Sequence, residues 1–474
     1  MVWNHCEING DYDSMAVKEK FSVGFLTLGC KVNQYETESL KAMFERSGFR
    51  ITAGGELADA YVINTCTVTN IADRKSRQFI RKAKRANPKA IIAVTGCYAQ
   101  MSPQDVEQIE GVSIIVGTNE KHRIVGIVKR LVEDSLREEV NFKNNAKSDA
   151  EKMIFVRDRN QLIEYEDLGA VMDVENRQRA FVKIQEGCNR FCSYCIIPYA
   201  RGDVRSRSID SIREEVDNLV SAGHSEIVLT GINTALYGYD LKNGGVEPLI
   251  GELENIEGDF RIRLSSLEPT VINAEYVKKL IEHKKLCNHL HLSIQSGSNT
   301  VLKRMNRKYS TEEYMRIVKV LKDFDENFGI STDIIVGFPG ETEREFEETL
   351  DIVKKVGFCK VHGFRYSPRK GTVAADFTGQ VTDKEKSDRM DKLLECADIS
   401  TNNFIERCKG STREVLIERR EDESYVSGYA DNYVRVYVKA DSDKKNELNP
   451  IGKIVSVKLL NRFKDGMKGV IQYG

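Results

Sequence analysis

Short β-branched runs alternate with amphipathic stretches along most of this chain, a pattern that a parallel sheet with helical crossovers produces and few other architectures allow. The early runs are "SVGFLTLGC", "ADAYVINTC", "KAIIAVTGC" and "VSIIVGT", with helical patterns such as "NQYETESLKAMFERSG" between them. They predict a parallel α/β domain over about 21–135. From 179 to 378 the alternation resumes with six strand candidates: "AFVKIQ", "SEIVLTG", "FRIRLSSL", "LHLSIQ", "STDIIVGF" and "KVHGFRYSP". A closed barrel of this type needs eight strands. Six predict an open (β/α)6 partial barrel with its chemistry in the loops after the strands. Residues 1–20 read as a polar extension, 136–178 as a linker and 379–408 as a charged helical bridge. Residues 409–474 switch to period-two alternation punctuated by glycine, which predicts a small antiparallel β-barrel.

Composition narrows the setting. No run approaches eighteen apolar residues, so no membrane-spanning helix is expected, and the start "MVWNHCEINGDYDSMAVKEK" lacks the apolar core of a signal peptide. Met15 opens "MAVKEKFSVGFLTLGC" and is an alternative start, which leaves Cys6 in the extension a bystander. Eleven cysteines, an odd number, in a chain expected to be cytoplasmic favour metal or redox chemistry over disulfides. A net charge of −1 means that any nucleic acid must be met by a local basic patch.

Six of the cysteines fall into two trios. Cys188, Cys192 and Cys195 follow C-x3-C-x2-C in "EGCNRFCSYCIIP", just after the first barrel strand. Iron–sulfur clusters use cysteine thiolates, usually four, so three leave one iron without a protein ligand. The bland alternatives are a zinc site completed by a distant histidine, or ordinary buried thiols. Cys30, Cys66 and Cys97 each end a predicted strand, in "TLGC", "INTC" and "VTGC". The carboxyl ends of neighbouring parallel strands share one sheet edge, so this second trio is expected to converge in space.

"GCNRFCSYC" before an open α/β barrel resembles the radical S-adenosylmethionine (radical SAM) superfamily. With the second trio and the β-barrel tail, the likeness over about 21–474 is to the radical SAM methylthiotransferase family. That resemblance implies an auxiliary 4Fe-4S cluster on Cys30, Cys66 and Cys97, and a radical SAM 4Fe-4S cluster on Cys188, Cys192 and Cys195. One SAM would supply a methyl group and another the 5′-deoxyadenosyl radical, with electrons from a low-potential donor. The C-terminal barrel would be an RNA-binding TRAM domain. Ser265, Glu268, Gln295, Val336 and Gly337 look like SAM contacts, the last two within "TDIIVGFPGE". Family chains often have proline where Lys370 stands in "RYSPRKGT".

Three family branches are open: two act on tRNA adenosines beside the anticodon, and one on a ribosomal-protein aspartate. "TLGCKVNQYETE" and "NTCTVTNIADRKSRQ" look like the branch acting on N6-threonylcarbamoyladenosine rather than the isopentenyladenosine branch. A rival of another class is a non-catalytic iron–sulfur RNA-binding protein. For the tRNA partner, Arg74, Arg77, Arg81 and Lys84 recur at helical spacing as a phosphate-binding face, or as a merely solvated one. Tyr425, Tyr429, Tyr433 and Tyr437 are candidates either for base stacking or for barrel packing. Arg201, Arg205 and Arg207 are candidates to meet the substrate's carboxylate. No obligate protein partner is inferred.

Overall fold

The computed structural model describes residues 21–53, 56–140, 152–169, 178–242, 245–440 and 450–472; Cys6 and Met15 lie outside them. The first domain is a six-stranded sheet: β1 (Ser22–Thr27), β2 (Arg50–Ile51), β3 (Ala60–Thr65), β4 (Ile91–Gly96), β5 (Val112–Val116) and β6 (Met153–Phe155). The order is β2-β1-β3-β4-β5-β6 and every pair is parallel. Helices cover both faces, so β3 is buried at all six positions and reads as a continuous apolar run instead of an alternating one. Leu40 and Phe44 of α1 (Lys31–Arg46) pack on one face with Ile124 and Val128. Ile80 and Ala83 of α2 (Asn70–Ala86) pack on the other with Tyr98. β6 falls in the stretch that reads as linker. A three-residue edge strand is too short to carry a readable period.

The central domain is an arc of two parallel sheets. β7 (Arg179–Lys183), β10 (Glu226–Thr230) and β11 (Arg261–Leu264) form one; β12 (Ser266–Leu267), β13 (His289–Leu292), β14 (Gly329–Val336) and β15 (Lys360–Arg365) form the other. A two-stranded pair, β8 (Gln185–Glu186) with β9 (Arg205–Ser206), flanks the first strand. "FRIRLSSL" reads as one strand but breaks at Ser265 into β11 and β12. β7 and β15 do not pair, so the barrel is open. Alternate residues such as Ala180, Val182, Ile227, Leu229, Ile262 and Leu264 pack in one core with the surrounding helices. By the two-residue period, Phe181, Arg263, His291, Asp333 and His362 face the interior.

A helix, Asp383–Arg407, capped by the reciprocal Thr382–Glu385 pair, leads to the last domain. There β16 (Thr412–Arg420), β17 (Tyr425–Ala430), β18 (Arg435–Lys439), β19 (Ile454–Phe463) and β20 (Gly466–Ile471) close in the order β16-β17-β18-β20-β19. The β18–β20 pair is parallel and the other pairs are antiparallel. Five strands cannot alternate direction around a closed ring, so one parallel pair is obligatory.

This small barrel docks at the floor of the arc. Buried Glu226 accepts hydrogen bonds from Arg261 at 2.7 Å and from Arg263 at 2.8 Å. The same guanidiniums donate to the main-chain oxygens of Glu414 at 2.9 Å, Tyr429 at 2.8 Å and Asp431 at 3.1 Å. Burial opposes ionisation of Glu226, but Arg263 and Arg261 outweigh it and hold the carboxyl well below its usual range. Glu226→Gln strands two guanidiniums and should cost about 3–5 kcal/mol, read as a lower thermal midpoint. Because the native pKa is depressed, the wild-type contribution is complete above the ordinary value of 4.5 and erodes as the pH falls below it. The variant should lose that part of the acid sensitivity.

Candidate functional site

β1, β3 and β4 are consecutive in the sheet, and a cysteine follows each. Cys30 is the N-cap of α1, Cys66 follows β3, and Cys97 opens a short helix, Cys97–Met101. Gly29, at φ +120°, brings the first two together: a Cβ there would lie 3.1 Å from the Cβ of Cys66. Gly96, at φ +95°, has Thr65 O only 2.4 Å from where a Cβ would stand, so no larger residue fits. Cys66 and Cys97 are buried and Cys30 is exposed. Burial, reinforced by Cys97, pushes the Cys66 thiol up to about 12. Burial likewise raises Cys97, against the pull of Arg201, whose Nε donates to Cys97 Sγ at 3.3 Å. Buried thiols held protonated in this way, as Cys66 and Cys97 are, become thiolates together where a metal cation compensates them.

The second trio occupies the loop between β8 and the helix Ile197–Arg201. Cys188 N donates to Gly202 O at 3.0 Å, Cys195 N to Cys192 O at 2.9 Å, and Ser193 N to Met305 O at 3.0 Å. Burial raises all three thiols, Cys188 to about 11, while Arg307 pulls each the other way. Arg307 is itself held by Glu268 at 2.8 Å and by the Tyr194 hydroxyl at 3.0 Å. Among the described residues no group of side chains closes around a single metal ion, as a tetrahedral zinc site requires. A cubane takes one thiolate at each of three irons, so its ligands stand apart. Within each trio the thiols are near enough to raise one another's protonation, and three thiol donors are the ligand type such a cluster takes.

A cavity of about 210 Å³ adjoins Cys195, walled by Tyr194, Gln295, Asp333 and Phe364 of the barrel and by Val68 and Thr69 of the first domain. Gln295 lies at φ +68°, a conformation that non-glycine residues adopt at a cost. Of the five residues read as SAM contacts it alone lines this cavity. Ser265 Oγ donates to Thr230 Oγ1 at 3.2 Å. Glu268 accepts from Asn233 at 2.7 Å besides Arg307. Val336 packs in the barrel core, and Gly337 N donates to Glu341 at 2.7 Å. A larger hollow of about 600 Å³ among Asp210, Glu214 and Asn255 lies on the outer helices and involves neither trio.

The domains meet through a buried set of charges. Glu36 of α1 accepts from Arg201 at 2.9 Å and Lys183 at 3.1 Å, with Lys121 at 3.4 Å. Glu186 pairs with Lys183 and Arg201. Burial works against that carboxylate, but Lys183 and then Arg201 bring it down to about 2. Arg205 donates to the main-chain oxygens of Leu162 and Arg201 at 2.8 Å, and Arg207 pairs with Glu215. All three arginines proposed from sequence to meet a substrate carboxylate are therefore buried and committed to protein partners. A second tie was not legible in the sequence: Arg369 Nη2 donates at 2.6 Å both to Thr67 and to Asp73.

The basic helix also differs from its reading. Arg77 donates to the Tyr98 hydroxyl at 3.1 Å, and the Lys84 stem covers Gly111. Arg74 and Arg81 are exposed, and with Lys75, Lys82 and Arg85 they form the basic face of α2. Tyr429 and Tyr433 stack on each other at 5.2 Å, and Tyr433 on His289 at 4.6 Å, at the barrel floor. Tyr437 is buried and bonded to Asp465. Tyr425 remains half-buried, 5.1 Å from Phe463. Three of the four tyrosines are thus packing residues.

Residues 182–353 match the Radical SAM superfamily, 22–117 the Uncharacterized protein family UPF0004, and 406–461 the TRAM domain. The open arc with its cysteine loop defines a radical SAM enzyme. The chain is 43% identical over 444 residues (93% of its length, 94% of the relative's) to the threonylcarbamoyladenosine tRNA methylthiotransferase MtaB of Bacillus subtilis strain 168. It is 36% identical over 444 residues (92% and 93%) to a tRNA-2-methylthio-N(6)-dimethylallyladenosine synthase of Clostridium botulinum strain Hall. The chain belongs to the radical SAM methylthiotransferase family. The solved radical SAM methyltransferase TsrM of Kitasatospora setae with cobalamin and a [4Fe-4S] cluster, at 15% identity, covers 75% of this chain and 77% of its own with a TM-score of 0.51, a likeness of fold.

Arg201→Met should leave Glu36 and Glu186 short of a buried cation. A loss of about 3–5 kcal/mol in thermal or denaturant unfolding is expected. Anaerobic iron titration should show weaker loading of the Cys30–Cys66–Cys97 site.

Proposed function

We propose that the chain methylthiolates C2 of N6-threonylcarbamoyladenosine beside the anticodon of tRNA, with a 4Fe-4S cluster on each cysteine trio. The observation that carries this reading is the pair of trios themselves, each one thiolate short of a full ligand set. The substrate assignment is supported by the relative of that name at 43% identity, against 36% for the dimethylallyladenosine relative.

The C2–H of adenine is beyond the range of any side-chain base, so the hard step belongs to the cofactors. Held by Cys188, Cys192 and Cys195 and by Cys30, Cys66 and Cys97, the clusters would supply reductive radical generation from SAM and delivery of the sulfur. The chain's own work is placement and exclusion of water. The turn at Cys192–Cys195, tied to Met305 and Gly202, fixes the second trio. Arg307, anchored by Glu268 and Tyr194, places a cation beside those thiols. Gln295 and Asp333 supply polar groups to an otherwise mostly apolar cavity. The exposed cations of α2 provide sequence-independent affinity for RNA phosphates.

Reconstituted anaerobically, the protein should carry about eight irons. Cys188→Ala, Cys192→Ala or Cys195→Ala should abolish SAM cleavage to 5′-deoxyadenosine. Cys30→Ala, Cys66→Ala or Cys97→Ala should spare part of the cleavage and stop thiolation. Mass spectrometry of tRNA nucleosides from a deletion strain should show the 2-methylthio derivative of N6-threonylcarbamoyladenosine missing; its persistence would refute the assignment. Replacing Arg74, Arg81, Lys82 and Arg85 with glutamine should weaken tRNA binding uniformly across sequences. The slope against log salt should fall by about one per lost phosphate contact.

A further inference from the structure

The three arginines expected to meet an anionic substrate group are all consumed by the domain interface, whereas among the described residues two cations near the barrel mouth have no such commitment: Arg365 at the end of β15, in the wall of the cavity beside Cys195, and Lys31. Lys31, the first residue of α1 and the neighbour of Cys30, extends its side chain from the first domain across the open side of the arc. Its Nζ lies 5.9 Å from the ring of Phe181 on β7, an interior position. The charged and titratable groups that face it come from all around the barrel: Arg179, Glu226, Arg263, Asp333, His289 and His362.

None of them neutralises it. Among the described residues Lys31 makes no hydrogen bond or ion pair, and the ring of Phe181 is its one charge-related contact. The two carboxylates within its field are already used. Glu226 takes Arg261 and Arg263, and Asp333 takes His291 at 3.1 Å and the Ser293 hydroxyl at 3.1 Å. A surface lysine ordinarily buries its stem and returns its ammonium to bulk water. Lys31 is exposed, and its ammonium lies over the ring of Phe181 at the open side of the arc. With no anionic partner in the protein, that ammonium is available to form a charge-assisted hydrogen bond with an incoming carboxylate.

The location says which anion. Phe181 beneath the ammonium and Asp333 in the wall of the cavity beside Cys195 both face the barrel interior. The ammonium and the cavity therefore open on the same interior, with one cysteine trio at Cys195 and the other beginning one residue from Lys31. A base reacting between the trios passes this cation, whereas the RNA phosphates have the exposed cations of α2 outside. We propose that Lys31 is the specificity-determining group of the substrate site and binds the carboxylate on the N6 substituent of the target adenosine. This rests on the substrate assignment made above.

The test uses the full-length protein with its iron loaded, and anticodon stem-loops carrying N6-threonylcarbamoyladenosine, its carboxyl methyl ester, or N6-isopentenyladenosine. Equilibrium dissociation constants and KM are measured for the wild type, Lys31→Gln and Lys31→Arg. The wild type should bind the free acid about 10- to 100-fold more tightly than the ester, the size of one charge-assisted contact. Lys31→Gln should bind acid and ester alike, with a correspondingly higher KM for the acid, and Lys31→Arg should restore part of the preference. Iron content and the electron paramagnetic resonance spectrum should be the same in all three. A Lys31→Gln protein that keeps the wild-type preference for acid overturns the inference alone and leaves the substrate assignment standing. A changed iron content or spectrum also overturns it, by making Lys31 a support of the neighbouring cluster. A wild type that ignores the carboxylate, or prefers the isopentenyl stem-loop, overturns the substrate assignment together with the inference.

Discussion

The arrangement of this enzyme depends on one buried guanidinium. Arg201 ends the helix that starts two residues after Cys195, and its atoms reach Cys97, Asn33, Glu36 and Glu186. One side chain thus touches a ligand of one trio while its own backbone continues from the loop of the other. Burying a charge is expensive, and the cost is offset only when every partner is in place. Glu36, Glu186, Lys121, Lys183 and Arg201 are all almost fully buried, and Glu36 of the first domain meets both Lys183 and Arg201 of the barrel, so the two domains share one set of buried charges. The distance between the two cysteine trios is therefore set by an electrostatic fit between the domains.

The opposite end of the barrel is closed by a related device. Arg261 and Arg263 gather on Glu226 and reach the main chain of the small barrel, while Tyr429 and Tyr433 stack beneath His289. The floor is filled by aromatic rings and paired charges, which leaves the carboxyl ends of the strands and the open side for ligands. The TRAM barrel is thereby fixed on the catalytic domain, with Tyr425 and Phe463 on its outer surface instead of the whole tyrosine set.

How much of this was readable depended on the range of the interactions involved. The cysteine trios were legible because their placement needs only backbone periodicity and the rule that parallel strands share an edge; Cys30, Cys66 and Cys97 follow from counting strands. The arc was legible for the same reason, except that its third candidate strand divides at Ser265 into β11 and β12. β6 was not, since three edge residues carry no period, nor was the parallel β18–β20 pair, which is a demand of ring closure. The residues around the trios fared worse. Ser265, Glu268, Val336 and Gly337 occupy strand ends as expected, but hydrogen bonds and core packing take up their polar groups or turn them from the cavity. Lys183 left one trace, a charge inside the apolar "AFVKIQ", and nothing local says what that charge faces.

By itself the sequence determined where two trios of cysteines fall, one in a loop of an open barrel and the other along one edge of a parallel sheet, each specified by local pattern. Tertiary structure decided which charges are structural and which remain for a ligand. Arg201, Arg205 and Arg207 are spent on the interface, Arg369 on Thr67 and Asp73, and Lys31 is left facing the barrel. The physical reason is that a side chain's charge is a local fact but its compensation is not. Lys183 finds Glu36 across 147 positions and Arg369 finds Thr67 across 302, and only the folded chain brings such pairs within reach.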